Sequence, residues 1–243
     1  ADTFVDDDES VFQGQIERLV AAGITKGCNP PVGDHFCPTR SVTRAEMATF
    51  LARALGLEAI DVPPRPYQLN VVSREAWGAA APRGAFELHD IGQITIHHAG
   101  SLDRVTGPAQ FLDWQDWHAF LGWPDLAYHF IMGRDGAVYE GRRYDAVGDT
   151  ATTYDPTGHL LLVVEGNFDD DAPTPAQVEN LSQMVAWAAA RFDVPVSSVT
   201  GHRDHAATAC PGDTLYALLH DGSVAARAAA IIDAGGVTMR LGS

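Results

Sequence analysis

Lysine is nearly absent from this chain. Lys26 is the single lysine among 16 basic residues, which face 32 acidic ones, for a formal net charge of −16 over 243 residues. With no basic stripe, the chain lacks the electrostatic footprint of a nucleic-acid binder or of a protein that sits on anionic membrane surfaces. Long apolar runs are missing too, and none approaches the roughly 20 residues that a membrane-spanning helix needs. No basic-then-apolar leader stands at Ala1, so the chain reads as either cytosolic or already processed. Cysteine is scarce, with three in all. Apolar residues, at 46%, are plentiful enough for one large folded domain and a small one.

The cysteines divide as two plus one. Cys28 and Cys37 enclose a short polar loop, NPPVGDHF. A disulfide, two free thiols, or a metal site shared with His35 would each fit that pair. The disulfide is favoured, because the metal site lacks an obvious fourth ligand. Closing so short a loop stabilises a small domain by roughly 2–3 kcal/mol on the loop-entropy model and implies an oxidising compartment.

Cys210 lies in a different setting, the stretch Gly201–Tyr216, GHRDHAATACPGDTLY. His202 and Cys210 are eight residues apart, and Thr208 stands two before the cysteine. Zinc accepts imidazole nitrogen and thiolate together, and a catalytic site uses three protein ligands. The alternative is an exposed loop histidine beside a buried, inert cysteine. A third ligand comes from IGQITIHHAG over Ile91–Gly100. Strand alternation puts Ile94, Ile96 and His98 on the core face, and Thr95 and His97 on the open one. His97 is therefore the candidate ligand and His98 a packed core histidine.

The set ITIHHAG, AYHFIMGRDGAVYEGR and GHRDHAATACPGD resembles the zinc-dependent type 2 N-acetylmuramoyl-L-alanine amidases, relatives of the peptidoglycan recognition proteins, over roughly Ser73 to Leu219. The resemblance implies Zn2+ held by His97, His202 and Cys210, with catalytic roles for Tyr128 of the YHF motif and for Thr208. It implies hydrolysis of the amide between the lactyl group of N-acetylmuramic acid and L-alanine in peptidoglycan. Some bacterial members use a glutamate where Val163 stands here, so that general base is expected to be missing. Glu165, two residues on, is expected to be structural. His118, Arg142 and Tyr144 are candidate substrate contacts; His118 falls where relatives often have a histidine bordering the cleft, with a surface residue as the alternative. Arg142 would pair with a stem carboxylate or be a solvated surface arginine. Arg143-Tyr144 replaces the Gly-Trp of the recognition proteins and leaves the peptide preference open. The rival reading is a recognition protein that binds peptidoglycan without cutting it.

Along the chain, residues 1–57 read as a small helical unit. Its first helix is expected over Val11–Ala21, and its second is opened by a Thr43/Glu46 capping box, with Met47, Phe50, Leu51 and Leu55 along one stripe. With GIT and VTRAEMATFLARAL, the unit resembles a single S-layer homology repeat, whose TRAE segment, Arg44 included, would contact secondary cell-wall polymer. Residues 58–70 read as a proline-rich linker and 71–243 as the amidase domain. The latter should be α/β, a mixed central sheet flanked by helices. Its elements are a strand over Ile91–His97, an aromatic core-facing helix over Pro108–Leu121, a hairpin around Arg134-Asp135-Gly136, and a buried strand over Leu160–Glu165. A helix capped by Thr174 and Gln177 and a last helix over Val224–Asp233 complete it. The aperiodic loop Gly141–Gly158 is expected to rim the substrate groove. Such a protein is expected to be secreted and to act at the cell wall.

Overall fold

The structure, a computed structural model, describes residues 3–29, 32–57, 66–100 and 105–242. The chain divides into two compact units, Ala1–Val62 and Pro63–Ser243.

In the first unit, helices α1 (Gln13–Ala21) and α2 (Arg44–Ala54) flank the loop closed by the Cys28–Cys37 disulfide, whose Cα atoms are 6.1 Å apart. The Asp6 carboxylate accepts hydrogen bonds from the Phe36 and Cys37 amides at 2.7 and 2.8 Å, tying the disulfide loop to the N-terminal segment. Thr43 and Glu46 form the full capping box that their spacing predicts. Helix α1 starts two residues later than its periodicity indicates, and Val11 and Phe12 lie exposed ahead of it. Ile16 is buried, but no described residue of α2 is, and Met47, Leu51 and Leu55 face solvent. A unit of this size does not cover its own apolar stripe.

The second unit begins with strand β1 (Tyr67–Val72), so the expected linker is corrected at its C-terminal end; residues 58–65 lie outside the described residues. There follow α3 (Arg74–Trp77), β2 (Gln93–His98), α4 (Pro108–Phe120), β3 (Phe130–Met132), β4 (Val138–Glu140) and β5 (His159–Val164). The chain closes with α5 (Pro175–Phe192), β6 (Thr200–Gly201), α6 (Asp213–His220), α7 (Ser223–Asp233) and β7 (Val237–Gly242). The strands form one seven-stranded sheet in the order β6-β2-β5-β3-β4-β1-β7, parallel except for the β3–β4 hairpin. It is the expected mixed sheet with helices on both faces.

Alternation within β2 and β5 divides the core. Ile94, Ile96, Leu160, Leu162 and Val164 pack with Leu181, Met184 and Val185 of α5 and Val224 and Ala228 of α7. On the opposite face, Val163 and Ile131 pack with Trp77 and Phe111. Thr174 and Gln177 cap α5 reciprocally, with Pro175 in the first turn. The aromatic stripe of α4 corrects its expected role. Phe111 is buried, but Trp117 and Phe120 are 57% and 78% exposed and stack on each other with centroids 5.4 Å apart. Among the described residues no single helix is long and apolar enough to cross a membrane.

His129, beside Tyr128, is fully buried. Its Nδ1 accepts from the Leu161 amide at 2.8 Å, so its Nε2–H donates to the Ala146 carbonyl at 2.9 Å. Burial pushes this ring down to about 3. An unfolded imidazole protonates near 6.5, so between these values the unfolded state binds the extra proton and stability falls as pH drops. His129 alone should remove about 2 kcal/mol between pH 7.5 and pH 5. Denaturant unfolding at both pH values should show a shallower pH dependence in His129→Gln than in the wild type. Equal dependence would mean that another group carries it.

Candidate metal centre and cleft

Strand register builds the site. Strand β6 pairs in parallel with β2, Ile96 opposite Gly201, so the next residues along, His97 and His202, emerge side by side at the ends of neighbouring strands. Their ring centroids are 4.6 Å apart. The chain then loops back so that the Cys210 Sγ lies 3.7 Å from the His97 Nδ1. The three donor atoms of His97, His202 and Cys210 lie within 4.8 Å of one another.

Two features fix the returning loop. The Arg203 guanidinium donates to the Ala209 carbonyl, pairs with Asp213 at 2.8 Å and lies over the Tyr216 ring. Gly212 has φ +84°, and a Cβ there would sit 2.4 Å from the Phe168 backbone, so no other residue fits the turn after Cys210 without a shift.

The electrostatics suit a cation. Burial pushes the His97 pKa well below the ordinary imidazole value and that of His202 to about 4, so both rings are neutral donors at pH 7. Burial also pushes the Cys210 thiol up to about 12, although the His98 amide donates to its sulfur at 3.3 Å. A bound divalent cation would reverse that shift and hold the thiolate. Two neutral imidazoles and one thiol, converging and opening on a cavity, fit zinc.

That cavity, about 320 Å³, is walled by Tyr128, Thr208, His118 and Trp114. The Tyr128 ring lies 5.3 Å from that of His97, and burial raises its phenol, keeping it a hydrogen-bond donor. The Thr208 hydroxyl accepts from the Cys210 amide at 3.2 Å, holding the residue against the ligand loop. The His118 Nδ1 accepts from the Ala127 amide at 3.2 Å, so its proton sits on Nε2; burial pushes this ring to about 4.

Two predicted substrate contacts do not reach the cavity. Arg142 is 2% exposed, and its guanidinium is spent on the carbonyls of Leu126, Asp125 and Val147 and on Asp149. It is neither solvated nor available to a stem carboxylate. Tyr144 packs against Trp187 and Phe192, in the helix-side core. Glu165 is buried and accepts from the Gly107 and Arg134 amides at 2.6 and 2.7 Å, a structural role as expected. His98 faces the core beside Phe168, as alternation predicts. In the N-terminal unit, Arg44 is exposed, and a separate cavity of about 420 Å³ carries Lys26, Arg40 and Arg53. The sequence reading missed Thr150, Thr152 and Tyr154, which contact the two candidate ligand histidines from the loop flagged as functional.

The profile of the Amidase_2 family, N-acetylmuramoyl-L-alanine amidase, matches residues 87–213, a span that holds every residue of this centre. The chain belongs to that family. Peptidoglycan recognition protein 1 of Bos indicus is 31% identical over 157 residues, covering 62% of this chain and 82% of that one. An N-acetylmuramoyl-L-alanine amidase of Homo sapiens is 33% identical over 153 residues, 59% of this chain but 26% of the human protein. Among solved structures, Drosophila peptidoglycan recognition protein SD superposes with a TM-score of 0.57 at 27% identity, over 63% of this chain and 94% of that one.

Proposed function

We propose that the second unit is a zinc-dependent amidohydrolase that cleaves the bond between N-acetylmuramic acid and L-alanine in peptidoglycan. The observation that supports this most is the convergence of His97, His202 and Cys210 at the floor of a cavity that also presents Tyr128 and Thr208. When bound, zinc supplies Lewis acidity toward the scissile carbonyl and lowers the pKa of water.

The chain's own groups do the rest. The neutral imidazoles of His97 and His202 leave a positive charge at the centre uncancelled except by the single Cys210 thiolate. The Tyr128 phenol, held protonated, donates a hydrogen bond toward the oxyanion that develops on the scissile carbonyl. Thr208 adds an uncharged hydroxyl next to Cys210. His118 can only donate into the cavity, because its other nitrogen is taken, and it orients an acceptor on the substrate. At the position where other amidases carry a glutamate, Val163 is buried in the sheet, and the nearby Glu165 is spent on two amides.

Tyr128→Phe should keep the metal and lower kcat by on the order of 10²–10³-fold, the usual cost of one oxyanion donor. Thr208→Ala should act in the same direction with a smaller effect. Steady-state turnover of a muropeptide at matched zinc content reads both, and wild-type rates in the two variants would remove these residues from the mechanism.

For the N-terminal unit we propose binding to anionic cell-wall polymer outside the cytoplasm. The disulfide supports the setting, and the cavity with Lys26 and Arg53 supports the contact, Arg40 there being paired with Glu46. Deleting residues 1–57 should cut sedimentation with polymer-bearing walls and leave muropeptide turnover intact. Unchanged sedimentation would count against an anchoring role.

A further inference from the structure

One stretch of the loop between β4 and β5 touches both histidines of the proposed metal centre. The Thr152 Oγ1 lies 2.8 Å from the His202 Nε2, and the Thr150 Oγ1 lies 3.4 Å from the same nitrogen. These two hydroxyls are 2.8 Å apart, and the Thr152 amide donates to the Thr150 Oγ1 at 3.2 Å. The Tyr154 hydroxyl lies 3.4 Å from the His97 Nε2. The Tyr154 ring is fixed in turn, stacked on His205 at 5.3 Å and edge-on to His202 at 5.2 Å.

A neutral imidazole that ligates through one nitrogen carries its proton on the other. His97 turns Nδ1 toward the Cys210 sulfur, so Nε2 holds the proton and faces the Tyr154 oxygen. In His202 the Nε2 is engaged by the threonine hydroxyls, which leaves Nδ1 as the ligating atom. Three hydroxyls within a five-residue span thus select the same tautomer in both rings and fix how far each can rotate.

We propose that Thr152 and Tyr154, with Thr150 supporting Thr152, are positioning residues that set the tautomer and orientation of His202 and His97 and so tune metal affinity. This rests on the zinc reading above. The segment is anchored from below, since Arg142 engages the Val147 carbonyl and the Asp149 carboxylate just ahead of it. Arg142, expected to meet substrate, instead supports the loop that orients the metal ligands.

Partners of this kind are typically worth 10–100-fold in metal affinity. The test uses the full chain, stripped of metal and titrated with Zn2+ against a chromophoric chelator. Thr152→Val, close to isosteric but unable to accept, should weaken zinc binding by about 10–100-fold, and Thr152→Ser should restore it. Tyr154→Phe should weaken it less, because its contact is longer. The melting temperatures of the metal-free variants should match the wild type, which separates positioning from general damage to the fold. Wild-type affinity in both Thr152→Val and Tyr154→Phe, or a loss that Thr152→Ser does not restore, would overturn this inference alone. A wild-type chain with no measurable zinc affinity would overturn the metal reading and this inference with it.

Discussion

Cys210→Ala is expected to purify without zinc and to lose hydrolysis of peptidoglycan, and His97→Ala to do the same. Among the described residues three donors converge and each variant removes one, and two neutral imidazoles, or one imidazole and a thiol, hold zinc poorly. Losing the Lewis acid forfeits several kcal/mol of transition-state stabilisation, a rate loss on the order of 10³-fold or more. The fold should survive. With its pKa pushed to about 12, Cys210 is an uncharged thiol in the metal-free protein, and alanine removes little more than the sulfur that accepts the His98 amide. Metal analysis by mass spectrometry, with a melting curve of the metal-free form, reads both effects. Stoichiometric zinc in Cys210→Ala would break the assignment.

Arg142→Met is expected to cost about 3–5 kcal/mol of stability, the usual penalty for removing one partner of a buried ion pair. The side chain is almost wholly enclosed and meets acceptors from three directions: the Leu126 carbonyl at 2.6 Å, the Asp125 carbonyl at 3.1 Å, and the Val147 carbonyl with Asp149. Methionine fills similar space but leaves all four acceptors without their donor. Arg142→Lys should recover only part of the loss, because a single ammonium cannot span a planar fork's contacts. Guanidinium denaturation gives the difference directly. A loss below about 1 kcal/mol would mean that solvent reaches these carbonyls once the arginine is gone.

Some of the site was legible in the sequence and some was not, for physical reasons. His97 could be separated from His98 by period-2 alternation because β2 is regular and one of its faces is packed with isoleucine. The capping boxes at Thr43 and Thr174 were legible because they are local, set by side chains three residues apart. Arg142 and Tyr144 were misread because they follow the hairpin where the chain turns inward, and no periodicity marks which way such residues point. Trp117 and Phe120 carried a helical aromatic pattern that normally means core, yet among the described residues both rings are largely exposed. Strands β1 and β7 pair only with each other and β4 at the margin of the sheet, and their mixed exposure obscured them. Thr152 and Tyr154 sit in a loop whose length implied function but whose composition could not say toward what.

The central claim is hydrolysis at one bond, and digestion of a defined muropeptide analysed by mass tests it most directly. The zinc-loaded chain should yield two products that together gain one water: N-acetylmuramic acid with a free lactyl carboxylate, and a stem peptide beginning with a free L-alanine amine. Cys210→Ala should yield neither. Intact muropeptide after long incubation with a chain shown to hold zinc and to bind that muropeptide would contradict the account and leave a recognition protein that does not cut.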